Sequence, residues 1–547
     1  MTQLQVLALD RLATIETVGT TLCAPADLVF QAWIQGVSGT VPRCLDDTGP
    51  TTVYLTQAVQ SRSVPVPLVT GRSALLRVFV TAPDSTSAVI PPVRATFHVN
   101  GVKTYTAEIP AGAEVTPTTV NEGRWAGSAN ARIPGEVIRP GLELVVEIDP
   151  EGTPDAARGV ARRIPEQGRM AVDVREMPVL DLRLIPFLWS EAPDTRIVAT
   201  IDAVAANPER HPLLFYTRTL LPVSGLKVTV HEPVPSSSRE TRELFFQTRL
   251  IRIMERGNGH YLGMMSGTMS GPLGLGALPG RVSVAQPHAP TIAHELGHTM
   301  NLMHAPCGNP SGIDPAYPHA DGTIGDWGYD YWQSLVAPWA YRDLMSYCSP
   351  RWISGYHFNR ALKFRLTSRG FRPDAAPEGV ALREGDAARS LLLWGGVDAA
   401  GAPFLEPAFV VDAPTALPEP GGGAFELAGW TASGDVLFSL SFDMPEIADG
   451  DGSSSFVFAL PTEALRAGAP ASITLSGPGG TTTLDGDTDR PMVILRDQQS
   501  GQVRAFLRDP PPAALAGSAV DVAALSPESG LEALFSRGLP GPREWRH

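Results

Sequence analysis

The chain has 547 residues, a formal net charge of −14, 43% hydrophobic residues and 18% charged residues. That apolar content excludes a wholly disordered chain, and the length predicts three or four domains. The acidic balance excludes nucleic acid as the main partner, because phosphate binding needs a basic footprint; all but three of the 43 basic residues are arginines, and they are scattered.

Gly (53) and Pro (51) make up about a fifth of the chain, against a usual level of about 12%. The excess predicts short strands and many turns. No membrane span is expected. The uncharged run Tyr261–Gly280 carries six glycines and two prolines and reads as loop and strand. Met1–Asp10 lacks a basic region followed by an apolar stretch, so no signal peptide is expected there. The chain is then a mature form, leaves the cell by another route, or stays inside. Four cysteines allow three connectivities. Their grouping into two local pairs suggests Cys23–Cys44 and Cys307–Cys348 in an oxidising compartment; four buried free thiols are the other reading.

Residues 1–50 show little pattern. Residues 51–175 read as a β-sandwich of immunoglobulin-like kind, from Ala74–Val80, from Arg94–Gly101 with an Asn-Gly turn, and from Leu142–Ile148. Residues 176–372 mix strands (Val179–Ile185, Leu226–His231) with helical patterns. The clearer helix is Ser238–Glu255, with Ser237 or Ser238 as cap. Residues 373–510 return to strands at Ser390–Trp394, Val436–Phe442, Ser455–Leu460 and Met492–Leu495, which predicts a second sandwich. Residues 511–547 form a Pro/Ala-rich tail, with a short helix expected over Glu528–Arg537.

The chemistry centres on Thr291-Ile-Ala-His294-Glu295-Leu-Gly-His298-Thr-Met-Asn301-Leu-Met-His304. On a helix, His294 and His298 project from one face and can share a zinc ion. Glu295 can act as general base toward water on that ion. His304, beyond the helix end, can turn back as third ligand. Three ligands leave a position open, as catalytic sites do.

This segment resembles the metzincin zinc endopeptidases, whose motif is His-Glu-x-x-His-x-x-Gly-x-x-His with a later Met-turn. Asn301 stands where the family has Gly, and Asn tolerates the left-handed turn that this position requires. By the same resemblance, Met345 in Asp343-Leu-Met345-Ser-Tyr347-Cys348 is the Met-turn residue. Tyr347 is then a zinc ligand at rest or a donor to the oxyanion, or else a core tyrosine. A Cys307–Cys348 bridge would tie the third-ligand loop to the Met-turn, for about 3–4 kcal/mol. Backbone at Gly263–Ser266 or Ala277 would pair with extended substrate.

Other features are weaker. Pro42-Arg43-Cys44 is similar to the inhibitory cysteine segment of matrix metalloproteinase prodomains. Tyr317, Trp327, Tyr329, Tyr331 and Trp332 line a cleft or pack a loop. His260, His288 and His319 read as structural or exposed. Asp449/Asp451 and Asp485/Asp487/Asp489 are candidates for Ca2+, or turns.

The reading is multidomain: a central α+β metzincin-like catalytic domain flanked by β-sandwich domains. The expected function is hydrolysis of protein or glycoprotein substrates with one catalytic Zn2+, by a secreted, extracellular or periplasmic monomer of bacterial type. The alternatives are an adhesin or binding module with an inactive zinc domain, and a latent protease whose cleft is covered by residues 1–50 or by the C-terminal domain.

Overall fold

A computed structural model describes the chain except for residues 1–3, 9–10, 19–20, 24–51, 63–64, 154–158, 268, 332–333, 368–379, 383–387, 419–421, 466–467, 517–518, 542–544 and 546–547. Cys44, the Pro42-Arg43-Cys44 segment and Trp332 lie outside the described residues, and with them the expected Cys23–Cys44 bridge. The protein is rich in β-strand and divides into two compact units. One comprises Met1–Glu176, Ala305–Gly308 and Ile313–Asn359; the other comprises Met177–His304, Asn309–Gly312 and Arg360–His547.

The first unit opens with an antiparallel meander of Leu4–Ala8, Arg11–Val18 and Thr21–Cys23, where the sequence shows little pattern. Its main strands are β1 (Val53–Thr56), β2 (Ala74–Val78), β3 (Val93–Val99), β4 (Val102–Ile109), β5 (Ala129–Ile133) and β6 (Leu142–Ile148). One sheet runs β5–β2–β1, and in a second β3 lies between β6 and β4. Side chains alternate along a strand, so Val93, Ala95 and Phe97 of β3 face inward with Leu142, Leu144 and Val146 of β6. Both sheets feed one core. Asn100 and Gly101, at φ 51° and 82°, make the tight β3–β4 turn. A sequence-distant hairpin, Trp327–Asp330 with Ser334–Val336, joins this unit by pairing with Val59–Gln60.

The second unit is built on a long central strand, β7 (Leu180–Trp189). It is followed by α1 (Arg196–Ala206), β8 (Leu226–Val230), β9 (Val234–Ser236) and α2 (Thr241–Met254). Then come β10 (His260–Met265), β11 (Gly274–Leu278), β12 (Val282–Ala285) and α3 (Ala289–Thr299). Strands β8, β9 and β10 run parallel to β7, and β12 runs parallel to β10. Strand β11 is antiparallel to β12. Helix α2 starts at Thr241, not at the expected serines, and its N-cap residue Glu240 makes no side-chain cap bond. Thr241 Oγ1 instead donates to the carbonyls of Ser270 and Pro272.

The C-terminal strands include β13 (Ala388–Val397), β14 (Phe425–Trp430), β15 (Val436–Phe442), β16 (Glu446–Ala448), β17 (Ser454–Pro461), β18 (Ser472–Gly477), β19 (Gly480–Asp485), β20 (Met492–Asp497) and β21 (Val503–Arg508). The sheet β15–β14–β18–β19 packs on β17 through Phe442, which lies 4.9 Å from Phe458. These strands do not stand apart as a separate sandwich. Strand β16 pairs with β11, and β21 pairs with β9, so one sheet runs through both regions. Phe187, Leu250, Val284, Trp394, Phe458 and Phe506 share one core.

The tail also differs from expectation. Leu531–Ser536 is a strand, β22, in full register with β20, and not a helix. Leu531, Ala533 and Phe535 share one face with Val493 and Leu495, a period-two pattern that acquires meaning only once a distant partner strand exists.

Candidate metal centre

Helix α3 carries His294, Glu295 and His298, all buried. Its C-terminus closes with Leu302 N–H donating to Gly297 O (3.1 Å) and Asn301 N–H donating to His298 O (2.8 Å). This is the paired-bond stop that needs a left-handed residue just past the cap. Asn301 occupies that position at φ 66°. The chain then reverses, and His304 is held by its N–H to Gly312 O (3.3 Å) and by its Nδ1, which faces Ser311 O.

The three imidazoles converge, with ring centroids 4.7–5.4 Å apart and the Nε2 atoms of His294 and His298 at 3.1 Å. Facing them is Asp449, from the turn after β16. Its Oδ2 lies 3.2 Å from Nε2 of His294 and 3.2 Å from that of His298, and its Oδ1 lies 3.0 Å from Nε2 of His304. Among the described residues this is the one gathering of donors that can hold a metal ion.

The bonding around the rings shows that a cation fits. A carbonyl oxygen only accepts, so Nδ1 of His298 (2.7 Å from Leu302 O) and Nδ1 of His304 must carry hydrogens. In neutral rings each Nε2 then presents a lone pair to the Asp449 carboxylate. Protonation of Nε2 would relieve that clash, but burial pushes His298 down to about 4. A shared cation satisfies all four groups. The Nε2 atoms of His294 and His298 at 3.1 Å and the Asp449 oxygens at 3.0–3.2 Å from the imidazoles lie near the roughly 3.3 Å edge of a tetrahedron with bonds of about 2.0–2.1 Å, and the four ligand atoms all lie within 4.8 Å of one another. The cluster is therefore a buried group able to bind a metal ion.

Close approach of β11 to α3 positions Glu295. A Cβ on Gly276 would meet Glu295 O at 2.8 Å and His298 Cβ at 3.0 Å, and one on Gly274 would meet Glu295 Oε1 at 2.4 Å. The glycines of this strand leave the room that the Glu295 side chain occupies.

The other expected residues make contacts of their own. Cys307 and Cys348 form a disulfide in the first unit, with Cα atoms 5.8 Å apart. It is flanked by Ala305 N–H donating to Met345 O (3.0 Å) and Tyr347 N–H donating to Cys307 O (3.1 Å). The Met345 turn is pinned by buried Asp343. Its Oδ1 accepts from Met345 N–H and His357 Nδ1, each at 2.8 Å, and its Oδ2 accepts from Ser354 N–H at 2.9 Å. Tyr347 is half-exposed. Tyr317 is buried and donates to Thr323 O, while Tyr331 lies under Arg132. His260 Nδ1 meets Thr299 Oγ1 and His288 Nδ1 meets Thr291 Oγ1, which are structural contacts.

The aspartates considered for calcium are not gathered. Asp451 pairs with Arg242 and Asp489 with Arg537, while Asp485 accepts from the Asp487 N–H within its own turn. Asp449 is the site residue that sequence reasoning misplaced. Its one local signal is an Asp-Gly-Asp-Gly turn, which does not say where the turn docks.

No family model matches the chain, and no curated protein matches it in sequence.

Proposed function

We propose that the protein is a zinc-dependent endopeptidase of metzincin type, acting on extended protein or glycoprotein chains. One observation carries the reading: three imidazole Nε2 atoms converge from a His-Glu-x-x-His helix and its reversed exit, with Glu295 buried on the same helix. A bound zinc ion would supply Lewis acidity and a more acidic water. Glu295 takes the proton from the attacking water and returns it to the leaving amine. Strand β11 runs antiparallel to β12, and the side of it now paired with β16 is the edge on which an extended peptide would lie. The Cys307–Cys348 disulfide supports an oxidising, extracytoplasmic location.

Asp449 favours a second reading. Four protein donors are the mark of a structural zinc site, which suits a binding module with a metal-stabilised domain. Glu295 argues against it, since a structural site needs no general base.

The test measures zinc content and casein cleavage for four chains: native, Glu295→Ala, Asp449→Asn and the double variant. The reading expects one zinc per chain in all four, and cleavage in a Glu295 chain that its Glu295→Ala partner lacks. Zinc without cleavage in any of them would leave the binding module. No zinc in the folded native chain would remove both readings.

A further inference from the structure

Strand β16 lies antiparallel on β11, with Ala448 opposite Gly276, Ile447 opposite Ala277 and Glu446 opposite Leu278. On its other side it touches β17, where Glu446 pairs with Ser454. The next residue, Asp449, takes φ 64° and delivers its carboxylate to the three imidazoles. The turn is held at its exposed tip by Arg242, 2.7 Å from Asp451, and inside by Ser453 Oγ donating to Gly450 O at 2.7 Å. Ile447 is buried in the common core. A short strand thus sits on the β11 edge, and an oxygen ligand follows it directly.

The geometry points to residues 446–449 as a built-in pseudo-substrate. Strand β16 occupies the edge of β11 that an extended peptide would use, and Asp449 caps the ligand histidines, so the chain as folded is latent. This rests on the endopeptidase reading. It also states how a substrate lies: antiparallel to Gly276–Leu278, with its scissile carbonyl where the Asp449 carboxylate now stands. A latch that leaves only a small open fraction weakens every competing ligand by that fraction.

The test loads the full chain with Co2+ and titrates acetohydroxamate, following the visible absorption of the cobalt. Hydroxamate needs an open metal position and no catalysis. Asp449→Asn is the first variant, because Asn tolerates the positive φ; Asp449→Ala is the second. The expected result is hydroxamate affinity about tenfold or more above native in either variant that folds. Casein cleavage should rise in parallel and disappear when Glu295→Ala is added. A native chain that already takes up hydroxamate as tightly as the variants overturns the latch while leaving the endopeptidase reading intact. A variant that takes up hydroxamate tightly but never cleaves keeps the latch over the metal position and removes the endopeptidase. Should neither variant fold, the native titration alone decides: a spectral response at low-millimolar hydroxamate overturns the latch, and none at saturating Co2+ upholds it.

Discussion

Asp449 Oδ1 lies 3.0 Å from His304 Nε2, although 145 residues separate them. The contact is made because β16 pairs with β11, against which α3 packs. Two loops meet over one helix, and the chemistry of each depends on the other.

Zinc should stabilise the second unit measurably. Four buried donors whose lone pairs face one another fold with less strain around a cation. At zinc about 100-fold above its dissociation constant, linkage contributes about 2.7 kcal/mol. Calorimetry with and without EDTA should show the melting temperature fall on chelation and recover on zinc addition. His298→Ala should abolish the zinc-dependent increment; an unchanged increment would mean that the metal binds elsewhere.

Gly276→Ala should cost about 1–3 kcal/mol, as overpacking does. The new methyl would stand 2.8 Å from the backbone carbonyl of Glu295, which cannot swing aside as a side chain can. Urea unfolding should show the loss. A methyl at Gly274 would press on the Glu295 side chain rather than on backbone, so Gly274→Ala in the Asp449→Asn background should reduce casein cleavage without loss of zinc.

Replacing both Cys307 and Cys348 by Ser should cost about 3–4 kcal/mol for a loop of this length. The residues are 41 apart and belong to the first unit. The loss should appear in denaturant unfolding of the oxidised chain, with dithiothreitol producing the same loss in the native chain and none in the double variant.

Asp343 gives the first unit an acid limit. Burial would raise its carboxyl, but the charge and hydrogen bond of His357, with hydrogen bonds from Ser354 and Met345, hold it below its ordinary value of 3.8. A depressed folded-state value contributes stability that is complete above the unfolded value and lost as pH falls through the folded one. The native melting temperature should therefore drop more steeply below an ordinary carboxyl pKa than that of Asp343→Asn, which starts lower but lacks this titration. Parallel curves from pH 5 down to 2 would refute the assignment.

Much of the local structure was legible in the chain. The strands read at Arg94–Gly101, Leu142–Ile148 and Val436–Phe442 are strands in the structure, because side-chain period follows from backbone geometry. The spacing of His294, His298 and His304 marked a ligand set, since a helix turn and a reversal at Asn301 are local matters. Other features were not legible because their meaning depends on distant partners. Leu531–Ser536 reads as helix until β20 supplies a strand to pair with. Asp343 looks like any acidic residue until His357 and Ser354 close over it.

Asp449 shows the division most clearly. By itself the sequence determined three histidines, a glutamate and a turn that can bring them to one ion, because those contacts span eleven residues of chain. Only the tertiary structure decided that a fourth oxygen stands over them. That contact requires β16 to add to the β11 edge, and strand addition is set by which edge lies open in the folded sheet, not by anything written near Asp449.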